Sequence, residues 1–182
     1  MIINKKLTQL LKREIKENDR VLDVGCGSFH IGEFITHEIL LKRGLYVGID
    51  HSISALALAE KKCKKALCDT LFFYADITEY KQTHIKDHSL DVILLFHILH
   101  EYLHNQAMLH IILVEIFSLL KIGGVVILYD FRINKEDGIF GTQVPHLSYT
   151  DILEHEQLEI KEHIIDNAHE CLVIKKILKK NN

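Results

Sequence analysis

Three acidic residues each stand at the end of a short apolar run: Asp23 in Val21-Leu22-Asp23-Val24-Gly25-Cys26-Gly27-Ser28-Phe29, Asp50 in Tyr46-Val47-Gly48-Ile49-Asp50, and Asp76 in Ala75-Asp76-Ile77. The first run reads as a buried strand that opens through two glycines into a helix. Glycine lets backbone approach a ligand closely, and Ser28 is placed to cap the helix that follows. Asp23 lies two residues before the first glycine, where a carboxylate repels a pyrophosphate and favours a ligand bearing positive charge. Asp50 follows some two dozen residues later, where an α/β nucleotide fold puts the carboxylate that accepts both ribose hydroxyls. Three successive strands thus deliver an acid at the carboxyl edge of a sheet, the edge at which open α/β sheets bind ligands.

His97 follows the run Leu90–Phe96. Its unperturbed pKa near 6.5 suits a general base, with packing or orientation of a bound molecule as the alternative role. His100-Glu101-Tyr102-Leu103-His104 matches H-E-x-x-H, which on a helix puts two imidazoles on one face to hold zinc. No third ligand stands at a recognisable spacing, so no metal is expected. Cys26 is a loop filler, and Lys61-Lys62-Cys63-Lys64-Lys65 is a basic run at a helix C-terminus, where the dipole favours cations. That run has no interleaved aromatics for stacking on bases.

The elements that must hold these residues alternate between short β-like runs and longer helical ones, the pattern of a mostly parallel sheet covered by helices. Strands are expected at Arg20–Val24, Leu45–Asp50, Thr70–Ala75, Leu90–Phe96 and Val125–Phe131. Helices are expected near Ile31–Lys42, Ser52–Lys65 and Leu99–Leu120. A loop with Gly138, Gly141 and Pro145 then leads to a helix from about Ser148 and to two strands, Leu158–Ile165 and Glu170–Leu178. The connection between these two is too short for a parallel crossover, so the sheet ends in an antiparallel hairpin.

With 182 residues, 48% hydrophobic and 26% charged, the chain fits one globular domain, and its net charge of -3 gives no general attraction to polyanions or anionic membranes. The four cysteines form neither a C-x-x-C pair nor a disulfide framework, and Met1–Lys16 reads as an amphipathic helix rather than a signal peptide, so a cytoplasmic location is expected.

These motifs, over nearly the whole chain, resemble the class I S-adenosylmethionine-dependent methyltransferases. Asp23-Val24-Gly25-Cys26-Gly27 resembles the family's glycine-rich first motif, Asp50 its ribose-binding acid, and Ala75-Asp76-Ile77 the motif whose Asp binds the adenine amino group. Leu90–His97 resembles the fourth strand and its post-strand motif. Leu120-Lys121-Ile122-Gly123-Gly124 is similar to the turn before the fifth strand, with Ile122 where proline is usual, and Phe29 stands where a third glycine is frequent. S-adenosylmethionine, with an ammonium and a sulfonium, is a ligand of the kind Asp23 favours. The resemblance implies an α/β, Rossmann-like three-layer sandwich with a mostly parallel seven-stranded sheet, built as one domain over residues 1–182. Residues 1–18 would form an N-terminal helix and 133–147 an acceptor lid. The cofactor residues would be Asp23, Gly25, Cys26, Gly27, Asp50, His51, Asp76, Ile77 and Phe96, with His97 as the catalytic residue. A small-molecule acceptor is favoured, because Leu95-Phe96-His97-Ile98 replaces the N-P-P-aromatic run of enzymes that methylate exocyclic base amines, and because Phe96–His100 and Pro145–Tyr149 are similar to methyltransferases of quinone precursors. RNA methylation, nicotinamide-dependent oxidoreduction (with His30 where a glycine would be wanted) and a non-catalytic binding role are the alternatives.

Overall fold

The structure, a computed structural model, describes residues 5–76, 84–102, 105–131, 157–165 and 169–178. The chain divides into two compact units: Met1–Ile85 with Leu90–Ile93, and Lys86–Ser89 with Leu94–Asn182.

In the first unit, α1 (Lys5–Glu14) buries Leu7, Leu10 and Leu11, an i, i+3, i+4 stripe, and leaves its lysines in solvent. The strands β1 (Arg20–Val24) and β2 (Leu45–Asp50) have the expected bounds, while β3 (Asp69–Tyr74) lies one residue earlier than expected. They pair in parallel, from Arg20↔Leu45 to Val24↔Ile49 and from Leu45↔Asp69 to Asp50↔Tyr74. Val21, Leu22 and Val24 are all buried, as befits a central strand covered on both faces. Helix α2 (His30–Glu38) stops short of the expected Lys42. The Leu40 N–H reaches back to the Ile35 carbonyl at 2.9 Å and the Leu41 N–H turns to the Glu17 carbonyl at 2.8 Å, so the helical ladder ends there. Ser52 caps α3 (Ile53–Lys62), its hydroxyl accepting the Ala55 N–H at 3.3 Å, and a 3₁₀ turn, Cys63–Lys65, follows.

The second unit carries the larger departure. Where the apolar stripe predicts one helix over Leu99–Leu120, there is a 3₁₀ turn, Leu99–Tyr102, and a separate α4 (Gln106–Ser118). The Asn105 carboxamide accepts the Met108 N–H at 3.1 Å and starts the new helix as its N-cap. Ile112, Leu113, Ile116 and Phe117 bury α4. At its other end the buried Lys176 ammonium donates to the Phe117 carbonyl at 2.9 Å, a cation at the negative end of the helix. Strand β5 (Leu120–Phe131) begins five residues before the expected Val125, and its ladder to β7 (His169–Lys176) runs antiparallel from Val125↔Lys175 to Phe131↔His169. Gly123, at φ +84°, is a left-handed residue inside this strand, a conformation that glycine adopts without strain, and the turn expected over Leu120–Gly124 is part of β5. The closing strand β6 (Leu158–Ile165) pairs antiparallel with β7, with an irregularity between Ile160 and Glu162.

With β4 (Leu90–Phe96), whose first four residues belong to the first unit, the strands form a seven-stranded sheet in the order β3-β2-β1-β4-β5-β7-β6. The α/β class and the antiparallel end of the sheet are as expected. Ile77, the 133–147 segment and the start of the helix expected near Ser148 lie outside the described residues. Among the described residues, no helix is long and apolar enough to cross a membrane.

Candidate functional site

In the first unit the chain leaves β1 with Gly25 at φ +73°, Gly27 at +52° and Phe29 at +71°. The Gly25 and Cys26 N–H groups both donate to the Ile49 carbonyl, at 2.8 and 3.0 Å, and this folds the loop over the end of β2. Asp50 then anchors both sides: Oδ2 accepts the Gly27 N–H at 2.7 Å and Oδ1 accepts the Ser52 N–H at 2.8 Å. Each carboxylate oxygen has a second lone pair to offer, so this anchoring is compatible with acceptance of ribose hydroxyls. Among the described residues, a Cβ placed on Gly27 would meet nothing within 4 Å. The open space beside Asp50 and the backbone of Gly27 is what a nucleoside needs, and the residues present therefore fit S-adenosylmethionine.

Two positions differ from the sequence expectation. Ser28 does not cap α2; the N-cap is Phe29, with no side-chain capping bond. Phe29 keeps the left-handed conformation that makes glycine frequent at this position, but its fully buried ring packs edge-on against Tyr46 and Phe72, with centroids at 5.2 and 5.5 Å. A Cβ on Gly32 would overlap the Phe29 ring and the Tyr46 hydroxyl, so a glycine is required there. Asp23 is only 2% exposed and accepts a hydrogen bond from the Tyr46 hydroxyl. Burial pushes its carboxyl up to about 7 against the lowering effect of Tyr46, and the nearby Asp50 adds to the rise. The Cys26 thiol is raised above its ordinary value, chiefly by burial.

Of the other cofactor candidates, His51 is exposed, and Asp76 is half-buried just beyond Ala75, whose N–H donates to the Asp50 carbonyl at 3.2 Å. Lys62, from the last turn of α3, donates to the Ser28 carbonyl at 2.9 Å and steadies the loop. No sequence pattern ties those two positions together.

In the second unit, Phe96 is buried with its ring 5.6 Å from Tyr129. His97 has φ +52° and donates its N–H to the Tyr129 carbonyl at 2.8 Å. Its ring stands edge-on to Tyr129 and His169 at 5.3 and 5.2 Å, and those two stack at 4.8 Å. Burial lowers the His97 pKa, the Asp130 charge opposes this, and His169 and His100 push it down further. Asp130 is 3.9 Å from His97 Nδ1 but 2.9 Å from His100 Nδ1. The first histidine of the H-E-x-x-H match thus belongs to a 3₁₀ turn and pairs with a carboxylate thirty residues away. The same-face geometry of an α-helical zinc motif is not formed over Leu99–Tyr102, and His104 lies outside the described residues. No group of three or more metal-ligating residues occurs among the described residues.

A sequence model of the methyltransferase-domain family matches residues 15–180, and the chain belongs to that family. No curated protein matches it. Among solved structures, an S-adenosylmethionine-dependent methyltransferase from Methanosarcina mazei superposes with a TM-score of 0.76 at 18% identity, covering 93% of this chain and 98% of that one. The [4+2]-cyclase SpnF gives 0.73 at 16% identity, over 96% of this chain and 81% of that one. A candidate rRNA methylase from Clostridium thermocellum gives 0.71 at 15%, over 99% of each chain. At these identities the likeness is one of fold; the family decides for S-adenosylmethionine-dependent methyl transfer over nicotinamide chemistry.

Proposed function

We propose that this methyltransferase acts on a small-molecule acceptor, with the cofactor held by Asp23, Gly25, Cys26, Gly27, Asp50, His51, Asp76, Ile77 and Phe96, and with His97 on the acceptor. The observation that carries the cofactor assignment is the Asp50 carboxylate fixed between the Gly27 and Ser52 N–H groups beside open space. S-adenosylmethionine supplies, when bound, a methyl group made electrophilic by its sulfonium. The protein's part is alignment and exclusion of water, and alignment alone can lower a barrier by several kcal/mol. A net charge of -3 and the Leu95–Ile98 sequence favour a metabolite over RNA, and the 133–147 segment would be its cover. The protein would work in the cytoplasm, as one domain.

S-adenosylmethionine at 100 times its dissociation constant is expected to stabilise the fold by about 2.7 kcal/mol, seen as a raised melting temperature. No shift at millimolar concentration would remove the cofactor assignment. Transfer of label from methyl-labelled S-adenosylmethionine into the small-molecule fraction of a cell extract supports the metabolite reading; label in the RNA fraction alone reverses it.

Asp50→Ala is expected to weaken cofactor binding about ten- to a hundred-fold, since charge-assisted hydrogen bonds contribute about 1.5–3 kcal/mol. Calorimetric titration showing unchanged affinity would reduce Asp50 to an anchor of the Gly27–Ser52 loops.

A further inference from the structure

In the first unit, the segments that lead into the three parallel strands meet at the amino edge of the sheet: Glu17 and Asn18 before β1, Leu41, Lys42 and Arg43 before β2, and Leu67 before β3. These six residues line a cleft of about 510 Å³, and all of them belong to that unit. The glycine loop and Asp50 stand at the carboxyl ends of β1 and β2, and strands of five or six residues keep the two edges about 15–20 Å apart. The cleft is therefore a different place from the site described above. Backbone hydrogen bonds tie its walls together. The Leu41 N–H donates to the Glu17 carbonyl at 2.8 Å, the Leu45 N–H to the Asp19 carbonyl at 3.0 Å, the Asp69 N–H to the Gly44 carbonyl at 3.3 Å and the Leu67 N–H to the Thr36 carbonyl at 3.0 Å. The three segments cannot separate without breaking these bonds, so the concavity is built into the fold.

Its chemistry is that of an apolar surface with a cationic rim. Leu41 and Leu67 are 44% and 51% exposed and share the cleft. Lys42 and Arg43 are exposed beside them, and among the described residues neither side chain makes an ion pair or a hydrogen bond. The Glu17 carboxylate accepts instead from the Asn18 carboxamide, at 3.4 Å.

We propose that this cleft binds a small carboxylate with an aliphatic body, the carboxylate on Arg43 and Lys42 and the chain along Leu41 and Leu67. The inference is independent of methyl transfer. Charge and shape choose the class of ligand. A guanidinium meets a carboxylate with two parallel hydrogen bonds. Two cations against the one carboxylate of Glu17 leave a single positive charge, which a monoanion balances, whereas a dianion or polyanion adds repulsion from Glu17. Leucines with no aromatic ring among the lining residues suit an alkyl chain rather than a nucleobase, which needs a ring to stack on. The volume falls in the range of small-molecule sites, about 300–1,000 Å³.

The probe is octanoate, titrated into the full-length protein and followed by amide nuclear magnetic resonance. Shifts are expected to cluster at Asn18, Leu41, Lys42, Arg43 and Leu67. Octanol, with the chain but no charge, and acetate, with the charge but a single methyl, should each bind at least about tenfold more weakly. Arg43→Gln and Leu67→Ser, both at exposed positions, should each weaken octanoate about tenfold, the first by removing the charge-assisted pair and the second by removing apolar contact. The same amide spectra show that each variant is folded. Absence of binding at millimolar octanoate, shifts confined to the glycine loop and Asp50, or wild-type affinity in both variants overturns the proposal.

Discussion

Phe29→Ala is expected to destabilise the protein by about 3–5 kcal/mol, the usual cost of emptying a well-packed aromatic site. Against a typical total of about 5–15 kcal/mol, this removes a large part of the folding free energy. The ring is fully buried and packs against Tyr46 and Phe72, and Gly32 beside it has no side chain to fill the space it would leave. Phe29→Gly provides the sharper check. Glycine usually destabilises relative to alanine, but at φ +71° alanine carries a left-handed penalty of about 1–2 kcal/mol that glycine escapes. The glycine variant should therefore unfold at higher urea than the alanine variant. The reverse order would mean that residue 29 is not held left-handed.

The same position shows how far the sequence could be read. The Asp23–Gly27 motif announced a glycine loop, and the loop is there. Ser28 announced a cap and is not one, because capping preference is a local tendency of about 1 kcal/mol whereas the Phe29 ring gains more from burial. Strands β1, β2 and β4 were legible to the residue because charged or glycine-containing turns bound their apolar runs. The break between Leu99 and Leu120 was hidden, since the apolar spacing runs across it, while the Asn105 side chain caps the start of α4. His100 was visible as half of a zinc-like motif. Its pairing with Asp130 joins residues thirty apart through the sheet, and no periodicity reports that.

Asp23→Asn is expected to make the ligand-free protein more stable at pH 8 and less able to bind S-adenosylmethionine. Burial is the largest influence on this carboxyl, taking it from an ordinary 3.8 to about 7 in the folded protein. Between those values the folded state keeps a proton that the unfolded state has lost. Stability therefore falls as pH rises through that window, and the whole deficit, about 4 kcal/mol at 1.36 kcal/mol per pKa unit, is present above pH 7. Asparagine has no such proton to lose, and its amide oxygen can still accept from the Tyr46 hydroxyl. Urea unfolding at pH 5 and pH 8 should show a loss in wild type that Asp23→Asn lacks; equal losses would mean that the carboxyl ionises at its ordinary value. Binding should respond in the opposite sense. A ligand bearing an ammonium and a sulfonium favours the charged carboxylate, so wild type should release up to one proton on binding near pH 6, read by calorimetry in buffers of different ionisation enthalpy. The variant should release none from this position and bind about ten- to a hundred-fold more weakly. Greater stability with unchanged affinity would confine Asp23 to its bond with Tyr46 beneath the glycine loop.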